Sequence, residues 1–374
     1  MRVLFTPLSG VGHAYPMVPL AWALRAAGHD VTFFAGRNID IERAGFPVVD
    51  PPLPVQTTVE EELPRIREEA PQLLESMAHL TDEEILALKP MAIAPWTRFV
   101  DPIVEAALEV RPDLIVYDPV FPAGLITASL LDVPAVGHGY MLLRVTPELA
   151  REAAAPAFER WGAELPKKIA TLEVGPRSLM EPGESTWHSR FVPYNGGGQL
   201  PAWLHEPIGR PRVAVTLGTV APVTTGTGRF TRILDQISGI DAEFALTMTA
   251  EAATALGPLP GNVRITGWVP LLQLLRTCSA VIHHGGSGTM FTSCVAGLPQ
   301  MSVPAGADND YNARRLAEYG SGLLRLADDV DAAAIEQLLI DDTLRRAARQ
   351  LAAEMAQERT PAQLVNDITA LLAS

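Results

Sequence analysis

Hydrophobic and polar residues along this chain switch repeatedly between strand-like and helix-like spacing. Val3 to Thr6 is a short apolar run, a loop spans Pro7 to Ala14, a helix is predicted from near Pro16 to Gly28, and Val31 to Phe34 forms the next strand. Proline in the first helical turn and glycine just past the last are ordinary helix punctuation, so the segment reads as a βαβ unit. Further on, VDPIVEAALEV leads into RPDLIVYD, whose LIVY core is apolar on both faces, as a central strand of a parallel sheet must be. The pattern predicts a doubly wound α/β sheet.

Between 51 and 100 that beat is lost. Pro51, Pro52, Pro54, Pro64, Pro71, Pro90 and Pro95 cut the chain into short helical pieces that end near Trp96 and Phe99. We expect an insertion lying over a pocket mouth. At VPYNGGGQLPAWLHEPIGRPR the glycines 196–198 and the surrounding prolines read as a linker. After it RVAVTLGT, FALTM, NVRITGWV and SAVIHH read as strands of a second α/β domain. The tail forms two helices separated at Thr360 and Pro361, an N-cap and first-turn pair. The expected division is a first domain over 1–195, a linker over 196–210, a second domain over 211–358 and a C-terminal helix over 359–374 placed to return to the first domain. Two such halves imply a ligand cleft between the carboxyl ends of two parallel sheets.

Composition narrows the function classes. A length of 374 residues suits two domains, and 48% apolar with 19% charged residues supplies real cores rather than disorder. With 43 acidic against 29 basic side chains the formal charge is −14, which argues against nucleic acid or an anionic membrane as a partner. Any phosphate must therefore be held locally. No apolar run approaches the roughly 20 residues of a membrane span, and the first one is too short for a signal-peptide core. Cys278 and Cys294 cannot form a multi-bridge framework, so a reducing, cytoplasmic setting is expected.

The densest chemistry lies in His283-His284-Gly285-Gly286-Ser287-Gly288-Thr289, placed after the apolar strand Ala280 to Ile282 and before the helix-like MFTSCVAG. A glycine-rich turn at a helix N-terminus presents unpaired N–H groups and the positive end of the helix dipole, a means by which an acidic protein can hold phosphate. His284 and Thr289 are candidate side-chain donors. The bland alternative is a strand-to-helix turn that merely needs small residues. In the first domain, His13 follows the first strand within SGVGHAYP and precedes the predicted helix. An imidazolium is disfavoured there, so His13 should stay neutral and able to accept a proton, and Asp118, ending LIVYD, is placed to orient it. The plain alternative is that His13 is a turn residue and Asp118 caps its own loop. Gly10 and Gly12 do not complete a dinucleotide fingerprint, because Tyr15 stands where the third glycine belongs.

The ordered set GWVP (267–270), HHGGSGT (283–289), GLPQ (297–300) and ADNDYNA (307–313) resembles the nucleotide-sugar half of GT-B glycosyltransferases, nearest the actinobacterial type that glycosylates macrolides, polyketides, enediynes and glycopeptides. The resemblance spans both domains and implies two Rossmann-like domains facing across a cleft. It implies an inverting transfer of a deoxysugar from a nucleotide diphosphate, preferably dTDP, to a hydrophobic natural product in antibiotic biosynthesis. It further implies that the first domain holds the acceptor, with His13 as base and Asp118 as its partner. In the second domain Trp268 and Val269 would contact the nucleobase. His284 with Gly286, Ser287, Gly288 and Thr289 would hold the diphosphate, with Thr219 bordering it from the opposite loop, while Asp308 and Asn309 would hold the sugar hydroxyls. Asn309 stands where the family commonly has Gln, and Thr292 stands where the plant branch has Glu.

Asp308-Asn309-Asp310 also spells D-x-D, a spacing that elsewhere holds a divalent ion, but a helix terminus, His284 and turn amides make a cation dispensable. No metal and no cofactor are therefore expected. His29, His79, His188, His205 and His283 read as solvated or packed, with His138 in VGHGYM a candidate for the acceptor pocket. Two rival readings are a nucleotide-sugar epimerase, which needs a carboxylate pair that is not found here, and a non-catalytic sugar-nucleotide-binding partner protein, which has no use for an oriented base. The acceptor, the exact sugar, the linkage and whether the chain forms a homodimer stay open.

Overall fold

In a computed structural model the chain forms two parallel-sheet α/β domains. The structure describes all residues except 36–38, 50–63, 66, 67, 69, 70, 72–79, 207, 208, 219–227, 305, 307 and 374. The first sheet contains β1 (Arg2–Thr6), β2 (Asp30–Phe34), β3 (Val48–Val49), β4 (Leu114–Tyr117), β5 (Ala135–His138), β6 (Ile169–Glu173) and β7 (Trp187–His188), in the order β3-β2-β1-β4-β5-β6-β7. The second contains β8 (Arg212–Thr216), β9 (Glu243–Leu246), β10 (Val263–Ile265), β11 (Ala280–His283), β12 (Gln300–Ser302) and β13 (Gly322–Leu324), in the order β10-β9-β8-β11-β12-β13. Chain order reverses between β1 and β4 in one sheet and between β8 and β11 in the other. Those two crevices, at the carboxyl ends of the strands, are where doubly wound sheets bind ligands. β4 is buried along its whole length, which explains a run without polar alternation.

The helix after β1 begins earlier than its spacing predicts. A helical turn, α1 (Val11–Ala14), precedes a 3₁₀ step over Tyr15–Met17, and α2 follows (Val18–Ala26). Pro16 and Pro19 lack the N–H groups that a continuous α-ladder needs, so the chain tightens there. His13 thus sits inside a helical turn instead of ahead of one. In the 51–100 insertion most of the first half lies outside the described residues. From residue 82 it forms short helices that bury Ile85, Ile93, Trp96 and Phe99 against the first domain. Its edge also meets the second domain, where Arg314 donates to the Leu80 carbonyl at 2.7 Å and pairs with Asp82 at 3.2 Å.

The domains share a core on one side of the cleft. Val174, Leu179, Met180 and Phe191 of the first pack with Met290, Phe291, Cys294 and Tyr311 of the second, and the Phe191 and Phe291 rings meet edge to face at 5.4 Å. After the long helix Asp342–Gln357, the chain crosses at Glu358–Thr360. The Arg359 carbonyl accepts from Arg190 N at 2.8 Å and Ser189 Oγ at 2.9 Å. Thr360 and Gln363 then form a reciprocal cap that starts the last helix, Pro361–Ala373. Its Leu364, Val365 and Ile368 are buried with Val18, Ala21 and Leu24 of α2, so the end of the chain completes the core of its beginning.

Beside the first sheet lies a chain of half-buried ionisable groups ending at the buried Glu173. Lys89 Nζ bonds Glu181 at 2.5 Å, the Glu181 carboxylate accepts from Arg144 N at 2.8 Å, and Arg144 Nη1 stands 3.5 Å from Glu173 Oε1. The Glu173 carboxylate lies against Gly139, where an added Cβ would force it to move. Burial pushes the Glu173 carboxyl up to about 7, against the opposing pull of Arg144 and with the aid of the Glu181 charge.

Two expectations follow. Leu364→Ala should cost about 2–5 kcal/mol, the range for emptying a fully buried leucine site, in urea unfolding, whereas a loss under about 1 kcal/mol would mean that the last helix contributes little to the core. For Glu173 the unfolded carboxyl ionises near its ordinary value while the folded one stays protonated to about 7. Stability should therefore fall as pH rises through that window, at about 1.4 kcal/mol per pKa unit of difference. Glu173→Gln should flatten this slope between pH 5 and 7.5, and an unchanged slope would assign it to other groups.

Candidate active site

At the β1/β4 crevice, His13 Nδ1 lies 2.7 Å from Asp118 Oδ2. Asp118 is fully buried and anchored from three sides, since Oδ2 also accepts from Leu8 N at 3.2 Å and Oδ1 from Val120 N at 3.0 Å. A carboxylate held this way can only accept, so the imidazole proton sits on Nδ1 and Nε2 keeps its lone pair for a substrate proton. Tyr140, on the loop after β5, packs its ring on His13 at 4.7 Å with the planes 58° apart. His138, the last residue of β5, is buried beside this pair and is lowered to about 4 by burial, so it is neutral at physiological pH.

At the β8/β11 crevice, His283 and His284 divide the work. His283 is fully buried; its Nδ1 accepts the Gly285 amide at 2.9 Å, which leaves the proton on Nε2, 2.9 Å from Gln300 Oε1. It pins the glycine turn from beneath, and Gln300 passes the contact on to Cys294 Sγ at 3.2 Å. The His284 ring lies between Gly218 and Gly286, and a Cβ at either would collide with it. Its Nδ1 is buried without a partner. Burial lowers His284 to about 4, the Thr216 main chain opposes that shift, and the positive charge of Arg229 adds to it. The result is a neutral imidazole whose buried Nδ1 makes no hydrogen bond within the protein. Directly after it, Gly286 caps the helix Ser287–Ala296 without a side chain, so nothing from the cap competes for the first-turn amides of Ser287, Gly288 and Thr289.

Asp308 sits over the same turn and faces the first domain. Its Oδ2 accepts from Ser287 Oγ at 3.1 Å and from Asn312 Nδ2 at 3.0 Å, and Asn312 also donates to the Gly285 carbonyl at 2.9 Å. Burial raises the Asp308 carboxyl, Asn312 and Ser287 oppose that rise, and His13 acts on it from across the cleft in the same opposing sense. Asn309 starts the helix Asn309–Tyr319 with its main chain against Gly285, which has a φ of +91°. Asp310 is buried in the first turn of that helix, and its charge acts on Arg229. The two carboxylates of the D-x-D spacing are thus each occupied within the protein. Among the described residues, no group of three or more His, Cys, Asp or Glu side chains is arranged so that it could hold a metal ion.

Trp268 is 57% exposed, and the edge of its indole lies over Gly196, whose φ of +76° favours glycine and where an added Cβ would stand 3.3 Å from Trp268 Cζ2. Neighbouring Val269 turns inward, packed with Leu204, Leu274 and Leu275, so only its main chain faces outward. Thr219 lies outside the described residues. Asn195 ties the linker to the second domain, accepting from Leu272 N at 3.1 Å and donating to Thr292 Oγ1 at 3.3 Å.

The structure therefore groups His13 with Asp118, and His284 with the glycine turn and Asp308, on facing crevices. Four contributors escaped the sequence reading. Asn312 stands one helical turn after Asp308, a spacing that signals a same-face pair. His283 was legible only as a packed residue. Tyr140 and Arg229 carried no local signal.

A family model described as Erythromycin biosynthesis protein CIII-like, N-terminal domain, matches residues 22–218, and its C-terminal counterpart matches residues 231–371. The elloramycin glycosyltransferase of Streptomyces olivaceus is 35% identical over 370 residues, covering 97% of this chain and 96% of that protein. The crystal structure of the glycosyltransferase SnogD from Streptomyces nogalater is 34% identical, with a TM-score of 0.81 and 99% of each chain covered. A spinosyn rhamnosyltransferase solved with thymidine diphosphate gives a TM-score of 0.83 at 28% identity over 99% of this chain and 100% of that one, and the same enzyme has been solved with spinosyn aglycone. With the two family models matching residues 22–218 and 231–371 and a glycosyltransferase 35% identical over 97% of this chain's length, the chain belongs to the erythromycin biosynthesis protein CIII-like family of glycosyltransferases.

Proposed function

We propose that this glycosyltransferase moves a deoxysugar from a thymidine diphosphate sugar to a hydrophobic natural-product aglycone in antibiotic biosynthesis, with inversion at the anomeric carbon and without a metal ion. The observation that carries this reading is the His13–Asp118 pair at 2.7 Å, opposite a helix N-terminus that can hold a diphosphate. The relatives support the substrate classes: they include an elloramycin glycosyltransferase and a spinosyn enzyme seen with thymidine diphosphate.

In this reading the acceptor enters over the first sheet and its nucleophilic group loses a proton to His13 Nε2. The new bond to the anomeric carbon forms on one face of the sugar as the bond to the diphosphate oxygen breaks on the other. Asp118 stabilises the imidazolium that results without taking its proton. The departing diphosphate gathers negative charge, which the amides of Gly286 to Thr289, the helix dipole and neutral His284 meet with preorganised donors. Asp308 and Asn309 hold the sugar hydroxyls. Trp268 offers its open face to the base, with the Val269 main chain beside it.

His13→Ala should lower turnover by about 10²–10⁴, the usual worth of a general base, while thymidine diphosphate binding by calorimetry stays near wild type. Full turnover by the folded variant would remove His13 from the mechanism. Turnover in excess EDTA should stay close to that in its absence, while His284→Ala should lose about 10²–10³ as a lost oxyanion-type donor does. Activity that vanished with EDTA and returned with Mn²⁺ would make Asp308 and Asp310 metal ligands instead.

A further inference from the structure

One polar group at the cleft has no role in the transfer as described. Tyr140 is 6% exposed, yet its hydroxyl is buried without a hydrogen-bond partner. Native proteins rarely leave such a group unpaired, because water was given up and nothing replaced it. His138 Nδ1, two residues earlier, is orphaned in the same way. The groups that act on the Tyr140 hydroxyl are Asp118 of its own domain, through its charge and as a weak acceptor short of normal hydrogen-bond geometry, and Asp308 of the other domain through its charge. Both carboxylates are already engaged: Asp118 by Leu8, Val120 and His13, and Asp308 by Ser287 and Asn312. Burial holds the phenol protonated, far above its ordinary range, and both carboxylates reinforce this. A protonated hydroxyl that makes no hydrogen bond of normal geometry, although Asp118 acts on it as a distant acceptor, therefore stands beside the base and within reach of the Asp308 charge.

We propose that Tyr140 touches the substrates directly, its hydroxyl donating a hydrogen bond to a hydroxyl or ether oxygen held between His13 and Asp308. The proposal rests on the functional reading above, in which the reacting centre lies between those two residues. The ring alone has a second use, since packed on His13 at 4.7 Å it restrains the imidazole. A purely structural tyrosine would exert only that restraint, and phenylalanine would supply it equally well.

Kinetics of the full chain separate the two roles. The wild type, Tyr140→Phe and Tyr140→Ala would each be assayed with a thymidine diphosphate sugar and an acceptor varied in turn, with thymidine diphosphate binding and thermal unfolding as controls. Tyr140→Phe should lose about 10- to 100-fold in kcat/KM, the scale of one directed hydrogen bond, with unfolding and thymidine diphosphate affinity unchanged. Tyr140→Ala should lose more, through the freed imidazole. A loss confined to the acceptor's kcat/KM assigns the contacted oxygen to the aglycone, and one confined to the donor's assigns it to the sugar. As an independent check, a substrate lacking that hydroxyl should lose a similar factor with the wild type, and Tyr140→Phe should then add nothing. If Tyr140→Phe matches a working wild type toward both substrates, the hydroxyl has no such contact and this inference alone fails. A wild type that turns over no thymidine diphosphate sugar with any acceptor overturns it together with the functional reading.

Discussion

The apolar seam between the two domains is the constraint on which the rest of the structure depends. The His13–Asp118 pair on one sheet and the glycine turn with His284 on the other can serve one reaction, as proposed, only at a set separation, and neither sheet can set it alone. Phe191 against Phe291, with Val174, Leu179 and Met180 against Met290 and Tyr311, makes one continuous core across the division. The final helix reinforces it by crossing back through Arg190 and Ser189 to bury Leu364 and Ile368 on α2. Burial of this kind is non-directional, but close packing makes its geometry specific. Because the seam closes one side of the cleft, Asp308 comes near enough for His13 to act on it.

Within that frame the cleft works mainly with neutral groups. Burial lowers His138, His283 and His284 to values at which each ring is uncharged at physiological pH, and it raises the Tyr140 phenol. At the glycine turn a chain with a formal charge of −14 presents a helix N-terminus and neutral imidazoles, donors suited to the proposed diphosphate. Such donors cost little reorganisation as charge develops on the leaving group. His283 shows how the aim is kept: its tautomer follows from accepting the Gly285 amide, and Gln300 holds the other nitrogen. Asn312 does the same for Asp308 from the helix above.

The alternation of strands and helices, the cap at Thr360, and the glycine turn after β11 were legible in the sequence because each depends on neighbours a few residues away. His13, Asp118, His284 and Asp308 were legible for a related reason, since strand ends and helix starts announce themselves locally and the four ordered motifs gave them a common context. The start of the first helix was read late, because two prolines in a row of good helix formers suggest a boundary where the chain makes only a 3₁₀ step. Val269 faces inward although its tryptophan neighbour faces out, a choice made by the Leu204, Leu274 and Leu275 cluster and invisible along the chain.

What the sequence determined by itself was therefore the set of local devices: two doubly wound sheets, two crevices and the residue types at their mouths. Only the tertiary structure decided which of those devices meet. That Asp118 reaches His13 from more than a hundred residues away, that Tyr140 stands beside both, and that Asp308 faces them from another domain are consequences of strand order and of the seam. Local sequence encodes hydrogen bonds and backbone conformations that close within a few residues. Contacts across a sheet or between domains depend on how whole apolar faces pack, and no single stretch of residues carries that information.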